Sequence, residues 1–138
     1  MKIENLCICY ANNYHLGIIL GEYLKKNPEV KNSIKTFFEE GIKNEISTLI
    51  ENYKMEQLLN INFENTIIKT NSIDDIKKEI NNNDVIIIKG NIDYINRIKE
   101  ILNKITSLKE GSIKVITCIN YEYINQKILN DSVRIFTK

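Results

Sequence analysis

The most apolar stretch of the chain is the run of β-branched residues at 85–88, which is closed by Lys89 and Gly90. An uninterrupted run of this kind is typical of a strand that is buried on both faces, inside a sheet covered by helices. Residues 3–11 have the same character, because positions 6–11 are almost uniformly apolar. We therefore predict two central strands.

Shorter apolar segments predict further strands, and segments with apolar residues at every third or fourth position separate them. The additional strands are predicted at 66–70, 113–119 and 133–137. A first helix is predicted after the Asn12-Asn13 pair and ends at residue 27. Further helices are predicted at 73–80, at 92–105 with Asn91 as N-cap, and at about 122–129. Strands that alternate with helices indicate a parallel sheet built from right-handed crossovers.

The predicted fold is an α/β domain of three layers, Rossmann-like or flavodoxin-like, with a mostly parallel five-stranded sheet. A chain of 138 residues is interpreted as one domain, 1–138. Because the first and third strands are the most apolar, we predict the strand order second, first, third, fourth, fifth.

Residues 30–63 carry apolar side chains at spacings of three and four, with Gly41 near the point of a bend. This pattern predicts two or three helices, inserted after the first strand–helix unit. Two interpretations of the insertion stay open. It caps one face of the sheet, or it forms a homodimer in which Phe37 and Phe38 lie at the interface.

The charge balance excludes some partners. Nineteen Lys and Arg against 18 Asp and Glu leave a net charge of +1, so we expect no long-range attraction to nucleic acid or to an anionic membrane. No segment approaches the roughly 20 apolar residues that span a bilayer. Three cysteines without an export signal indicate a reducing compartment, so a cytoplasmic location is expected. The 28 Ile and 20 Asn indicate AT-rich codons and a low-GC bacterium.

Ligands of open α/β sheets bind beyond the carboxyl ends of the strands, where the strand order reverses. The predicted order puts this point between the first and third strands, where the chain offers amide, phenol and ammonium groups. The predicted ligand-binding residues are Tyr10, Asn12, Asn13, Lys89, Gly90, Asn91 and Asn120. Since these groups include no evident set of nucleophile, base and orienting residue, we expect recognition or regulation through a small anionic, phosphate- or nucleotide-like ligand.

Two further residues support an enzymatic alternative. Cys9 precedes a loop and a helix N-terminus, whose dipole lowers a thiol pKa and attracts anions. His15, the only histidine, can act as an acid, a base or a phosphoryl acceptor. The strand, cysteine, loop and helix of about the first 30 residues resemble the IIB components of the sugar phosphotransferase system, although the loop lacks their glycine and serine residues. The resemblance implies a phosphoryl or acyl carrier in which Cys9 or His15 is catalytic.

Other phosphate-binding signatures are missing from the sequence. The phosphate loop of low-molecular-weight tyrosine phosphatases has five residues between its cysteine and a required arginine, and counted from Cys9 this chain has His15 in the arginine position. The guanidinium fork that clamps phosphate is therefore lacking. The glycine-rich dinucleotide fingerprint and the Walker loop are also absent, so no cofactor is predicted.

A metal site is not predicted either. Cys7, Cys9, Cys118 and His15 would supply three sulfur ligands and one nitrogen ligand. Structural zinc sites, however, take their ligand pairs from turns with two to four intervening residues. Cys7 and Cys9 lie on a strand instead, and Cys7 is interpreted as a small core residue.

Overall fold

The computed structural model describes residues 2–27, 33–39, 72–106, 110–123 and 126–135. Within these ranges the chain forms a five-stranded parallel sheet with helices on both faces, so the predicted three-layer α/β fold is confirmed. The strands are β1 (Lys2–Tyr10), β2 (Ile34–Phe38), β3 (Val85–Lys89), β4 (Ser112–Asn120) and β5 (Val133–Arg134). The helices are α1 (Asn13–Lys26), α2 (Ile73–Glu79), α3 (Ile92–Thr106) and α4 (Gln126–Asp131), with a 3-10 helix at Tyr121–Tyr123.

Two apolar layers cover the sheet. Alternate residues of a strand point to opposite faces, and Leu6, Ile8 and Tyr10 of β1 pack with α1 on one face. The other face packs against α2, α3 and α4, mainly through isoleucines such as Ile86 and Ile88. Each fully buried isoleucine contributes about 1.5–3 kcal/mol, so the many isoleucines of the chain supply both layers.

The observed strand order is β2-β3-β4-β1-β5. The predicted order is therefore wrong, because β1 lies between β4 and β5 and not beside β3. Right-handed crossovers in opposite directions put their helices on opposite faces, which explains why α1 lies alone on one face among the described helices. The reversal of strand order falls between β1 and β4. The sequence prediction underestimated how deeply β4 is buried. Lys114, near the amino end of the strand, is half-buried, but residues 115–119 are all buried.

The second strand also differs from the prediction. Residues 34–38 form β2, which pairs in register with β3 from Ile34–Val85 to Phe38–Lys89, so the helical prediction for 30–63 is wrong at these residues. Thr36 and Phe37 are both fully buried, because a strand beside β3 is covered on both faces; Phe37 thus belongs to the core. Apart from residues 33 and 39, which flank β2, the rest of 30–63 and the strand predicted at 66–70 lie outside the described residues.

The remaining elements agree with the predictions apart from their boundaries. The helices expected up to residue 27, at 73–80 and at 92–105 are α1, α2 and α3. The helix expected at 122–129 is divided between the 3-10 helix and α4. Of the strand expected at 133–137, the described part forms β5 over Val133–Arg134. None of the helices in the described ranges has both the length and the apolar character needed to cross a bilayer.

Candidate functional site

The carboxyl ends of β3, β4 and β1 border a cavity of about 290 Å³, hereafter the carboxyl-edge cavity. Tyr10 and Asn120 are paired at the ends of β1 and β4, the strands between which the order reverses. Five of the predicted ligand-binding residues line this cavity, namely Tyr10, Lys89, Gly90, Asn91 and Asn120. The other lining residues are Glu39, Ile92, Ile95, Ile119 and Tyr123.

Lys89 lines one side of this cavity, and its side chain lies on the same face of the sheet as Tyr10. Its side chain is 4% exposed, and Nζ lies 5.5 Å from the centroid of the Tyr10 ring, a distance at which an ammonium group and an aromatic face attract each other. To reach Tyr10 from β3, the lysine crosses β4 near Cys118. Burial raises the pKa of the Cys118 thiol to about 12, and the positive charge of Lys89 opposes this shift.

Glu39 and Asn91 form the opposite wall. The Glu39 carboxylate accepts hydrogen bonds from the Asn91 backbone N–H at 2.9 Å and from its side-chain Nδ2 at 2.6 Å. Asn91 Oδ1 in turn accepts from the Tyr94 backbone N–H at 2.8 Å, which confirms that Asn91 caps α3. A carboxylate at this position also suits the positive end of the helix dipole.

Gly90 is required because its backbone packs closely against Tyr94 and Glu39. A Cβ atom at this position would lie 2.6 Å from Cδ1 of Tyr94 and 3.0 Å from Cβ of Glu39. Burial, followed by the negative charge of Glu39, raises the pKa of the Tyr94 phenol to about 12, against an opposing effect of Arg97.

A second group of residues lies at the loop between β1 and α1. Asn12 Oδ1 accepts from the His15 backbone N–H at 2.9 Å and caps α1. The Ala11 N–H donates to His15 Nδ1 at 3.0 Å, so this nitrogen acts as an acceptor and the proton of the neutral ring is on Nε2. Neither Asn12 nor His15 lines the carboxyl-edge cavity. For Asn13 the structure describes the backbone of α1 and not the side chain.

His15 is joined to the end of β4 through Tyr121. Their rings are stacked, with centroids 6.2 Å apart and an interplanar angle of 15°. Arg134 of β5 donates a hydrogen bond to the Tyr121 hydroxyl, and its guanidinium carbon lies 5.5 Å from the centroid of the same ring. Because Tyr121 directly follows Asn120, this group adjoins the carboxyl-edge cavity.

The cysteines are located elsewhere. Cys9 is 2% exposed and points to the sheet face opposite to Tyr10. Cys7 shares the face of Cys9, whereas Cys118 packs with α1 on the other face, so the sheet separates the thiols. Burial raises the pKa of Cys7, and the neighbouring Cys9 adds to this effect. Across the described ranges, no three His, Cys, Asp or Glu side chains are grouped closely enough to hold a metal ion.

Two of the lining residues with polar groups were not among the predicted site residues. Glu39 falls in the segment that was interpreted as helical, and only the pairing of β2 with β3 brings it to Asn91. Tyr123 was assigned to a helix, whereas it ends the 3-10 helix and is 65% exposed. The signal available for Tyr123 was its position three residues after Asn120, just beyond a predicted strand end.

No protein-family model, curated protein or solved structure matches the chain. The fold and the carboxyl-edge cavity define an open, parallel α/β sheet with a polar and aromatic recess at the strand ends. In proteins of this class the side chains at the strand ends decide the function, because the same fold carries many activities.

Proposed function

We propose that the protein binds a small anionic, phosphate- or nucleotide-like ligand in the carboxyl-edge cavity and acts by recognition or regulation. The observation that supports this most directly is the convergence of Lys89, Asn120 and Tyr10, from three neighbouring strands, on one cavity. A volume of about 290 Å³ lies at the lower end of the range for small-molecule sites, which suits a compact ligand.

The charges divide the cavity into two sides. On one side the Lys89 ammonium group lies over Tyr10, in a buried setting where attraction to an anion is stronger than in water. On the other side the Glu39 carboxylate is held by Asn91 at the start of α3. An anionic group would therefore bind near Lys89, and the neutral part of the ligand would face Glu39 and Asn91. The exposed Tyr123 ring at the rim suits a planar group such as a nucleobase.

The side-chain environments favour binding over a covalent carrier role. A nucleophile has to reach its substrate, and Cys9 is 2% exposed and does not line the carboxyl-edge cavity. His15 Nδ1 accepts the Ala11 N–H, which leaves Nε2–H as a hydrogen-bond donor toward an anion. These two residues are the candidates of the alternative function, a phosphoryl or acyl carrier.

Calorimetric titration with inorganic phosphate, pyrophosphate and AMP tests the proposal. Lys89→Met keeps the apolar stem and removes the charge, so it should weaken binding by about tenfold or more. Lys114→Met is the matched control, because Lys114 is a strand lysine at the opposite end of β4. Absence of binding to all three probes, or equal affinities for wild type and Lys89→Met, would refute the proposal.

Mass spectrometry of the protein purified from its own host separates binding from covalent chemistry. A small molecule that is retained under native conditions and lost on denaturation supports the binding proposal. An adduct that survives denaturation and maps to Cys9 or His15 supports the carrier alternative instead.

A further inference from the structure

A second cavity lies between α3 and α4, over the amino half of β1. Its volume is about 540 Å³, and it shares no lining residue with the carboxyl-edge cavity. Ile3 and Asn5 of β1 form part of its floor and are half-buried. We call it the interhelix cavity.

The two helices present polar side chains to this cavity. On α3 the lining residues Asn96, Lys99, Glu100 and Asn103 recur at spacings of three and four, and so they form one stripe. On α4, Lys127 and Asp131 lie one turn apart and line the opposite wall. Neighbouring helices on a sheet normally bury apolar side chains between them. Here Leu102 and Ile128 do so, but polar side chains supply most of the lining that the two helices give to the cavity.

The charged groups of the two stripes are close enough to influence one another. Lys99 is half-buried, and this burial lowers its pKa, while Asp131 opposes the shift and Lys127 adds to it. Two ammonium groups and two carboxylates, those of Lys99, Lys127, Glu100 and Asp131, therefore line one cavity.

We propose that the interhelix cavity is a second ligand site and that its ligand is a small zwitterion of the α-amino acid type. The ligand carboxylate is bound between Lys99 and Lys127, and the ligand ammonium group is bound by Asp131 and Glu100. The amides of Asn96 and Asn103 supply both hydrogen-bond donors and acceptors to the same space.

The balance of charge in the lining decides between a zwitterion and a simple anion. Two positive and two negative side chains cancel, so the cavity as a whole does not attract a phosphate or a dicarboxylate. A ligand that carries both charges on neighbouring atoms satisfies both lysines and both acids, and charge-assisted hydrogen bonds of this kind are the stronger ones.

The test is calorimetric titration of the full chain with L-alanine, L-glutamate and L-phenylalanine, each beside the acid that lacks its amino group: propanoate, glutarate and hydrocinnamate. At least one amino acid should bind, and its partner acid should bind about tenfold or more weakly. Lys127→Met and Asp131→Asn should each reduce the affinity for the amino acid by a similar factor. Both side chains are exposed, so these variants should fold, which a thermal melt verifies.

Matched controls come from α2 and from the other cavity. Lys78→Met and Asp74→Asn remove the same charges from exposed positions of α2 and should leave the affinity unchanged within about twofold. Lys89→Met should also have no effect, because Lys89 lines the carboxyl-edge cavity. The inference is overturned if none of the amino acids binds, if the partner acid binds equally well, or if Lys127→Met binds like the wild type.

Discussion

The carboxylate of Glu39 accepts two hydrogen bonds from Asn91, one from the backbone N–H and one from the side-chain amide. The residues lie 52 positions apart in sequence, and the pair fastens the end of β2 to the start of α3. The Glu39 N–H also donates to the Lys89 carbonyl at 3.1 Å. Three hydrogen bonds thus fix one wall of the carboxyl-edge cavity.

Replacement of Glu39 by glutamine should destabilise the protein. The Gln side chain keeps one oxygen acceptor, but its NH₂ group would face a donor of Asn91, so one of the two hydrogen bonds is lost. Because the pair is partly exposed, we expect a loss of about 1 kcal/mol in the free energy of unfolding, measured by urea titration.

Glu79→Gln is the control for this variant, since Glu79 is exposed at the end of α2. It should change the unfolding free energy by less than about 0.5 kcal/mol. If the two variants behave alike, the hydrogen bonds between Glu39 and Asn91 do not stabilise the fold.

The apolar runs at 6–11 and 85–88 were sufficient to predict a parallel sheet, because strands buried on both faces consist mainly of apolar residues. The helices on either side were predictable for a related reason. On α3, Ile95, Ile98 and Leu102 recur at helical spacing and are buried on one face. These patterns are local, and burial alone determines them.

The strand order and β2 could not be predicted in the same way. Residues 34–38 have apolar positions at 34, 37 and 38, a spacing that fits a helix as well as a short strand. Their pairing with β3 decides the conformation, and this pairing joins distant parts of the chain. The position of β1 between β4 and β5 is likewise a property of the whole sheet.

The candidate site was partly predictable, because all parallel strands end at the same edge. Tyr10, Lys89 and Asn120 lie at strand ends, and they line one cavity even though the predicted order was wrong. Glu39 could not be assigned without β2. Cys9 could have pointed to either face of β1. Because the neighbouring positions of the strand are all apolar, the sequence pattern does not distinguish the two faces.

Substitution of Gly90 by alanine should distort the carboxyl-edge cavity. The added Cβ would overlap the Tyr94 ring at 2.6 Å, and overpacking of this kind costs about 1–3 kcal/mol. The free energy of unfolding from a urea titration should fall accordingly.

A double-mutant cycle identifies the cause of that loss. In a Tyr94→Ala background the alanine at 90 has room on the side of the ring, so the cost of Gly90→Ala should decrease by about 1 kcal/mol. An equal cost in both backgrounds would show that contact with Tyr94 is not responsible.

The three thiols should be protected in the folded protein. Cys7, Cys9 and Cys118 are at most 2% exposed, and a buried thiol reacts only after local or global opening. Alkylation by iodoacetamide, followed by mass spectrometry, should therefore be orders of magnitude slower in buffer than in urea.

An engineered Glu122→Cys provides the reference rate for this comparison, since Glu122 is exposed on the 3-10 helix. If alkylation of Cys9 is as fast as that of this reference, the result would contradict the conclusion that its thiol is protected by burial. It would favour the carrier alternative over ligand binding.

Cys118 should make the protein sensitive to alkaline pH. Its pKa is raised by burial from 9.0 to about 12, so the unfolded chain loses the thiol proton before the folded chain does. The stabilisation that comes from keeping this thiol neutral is complete below about pH 9 and is lost as the pH rises toward 12. One proton contributes a slope of at most about 1.4 kcal/mol per pH unit.

Cys118→Ala should reduce this slope, although Cys7, whose pKa is raised too, will leave part of it. Tyr94→Phe distinguishes the effect of the phenol from that of the thiols. The pKa of Tyr94 is raised from 10.0 to about 12, so its contribution to the free energy of unfolding begins to fall only above about pH 10. Urea titrations at a series of pH values should thus show an effect of Cys118→Ala already between pH 9 and 10, where Tyr94→Phe has almost none. Identical pH profiles for Cys118→Ala and the wild type would mean that ionisation of this thiol does not control alkaline unfolding.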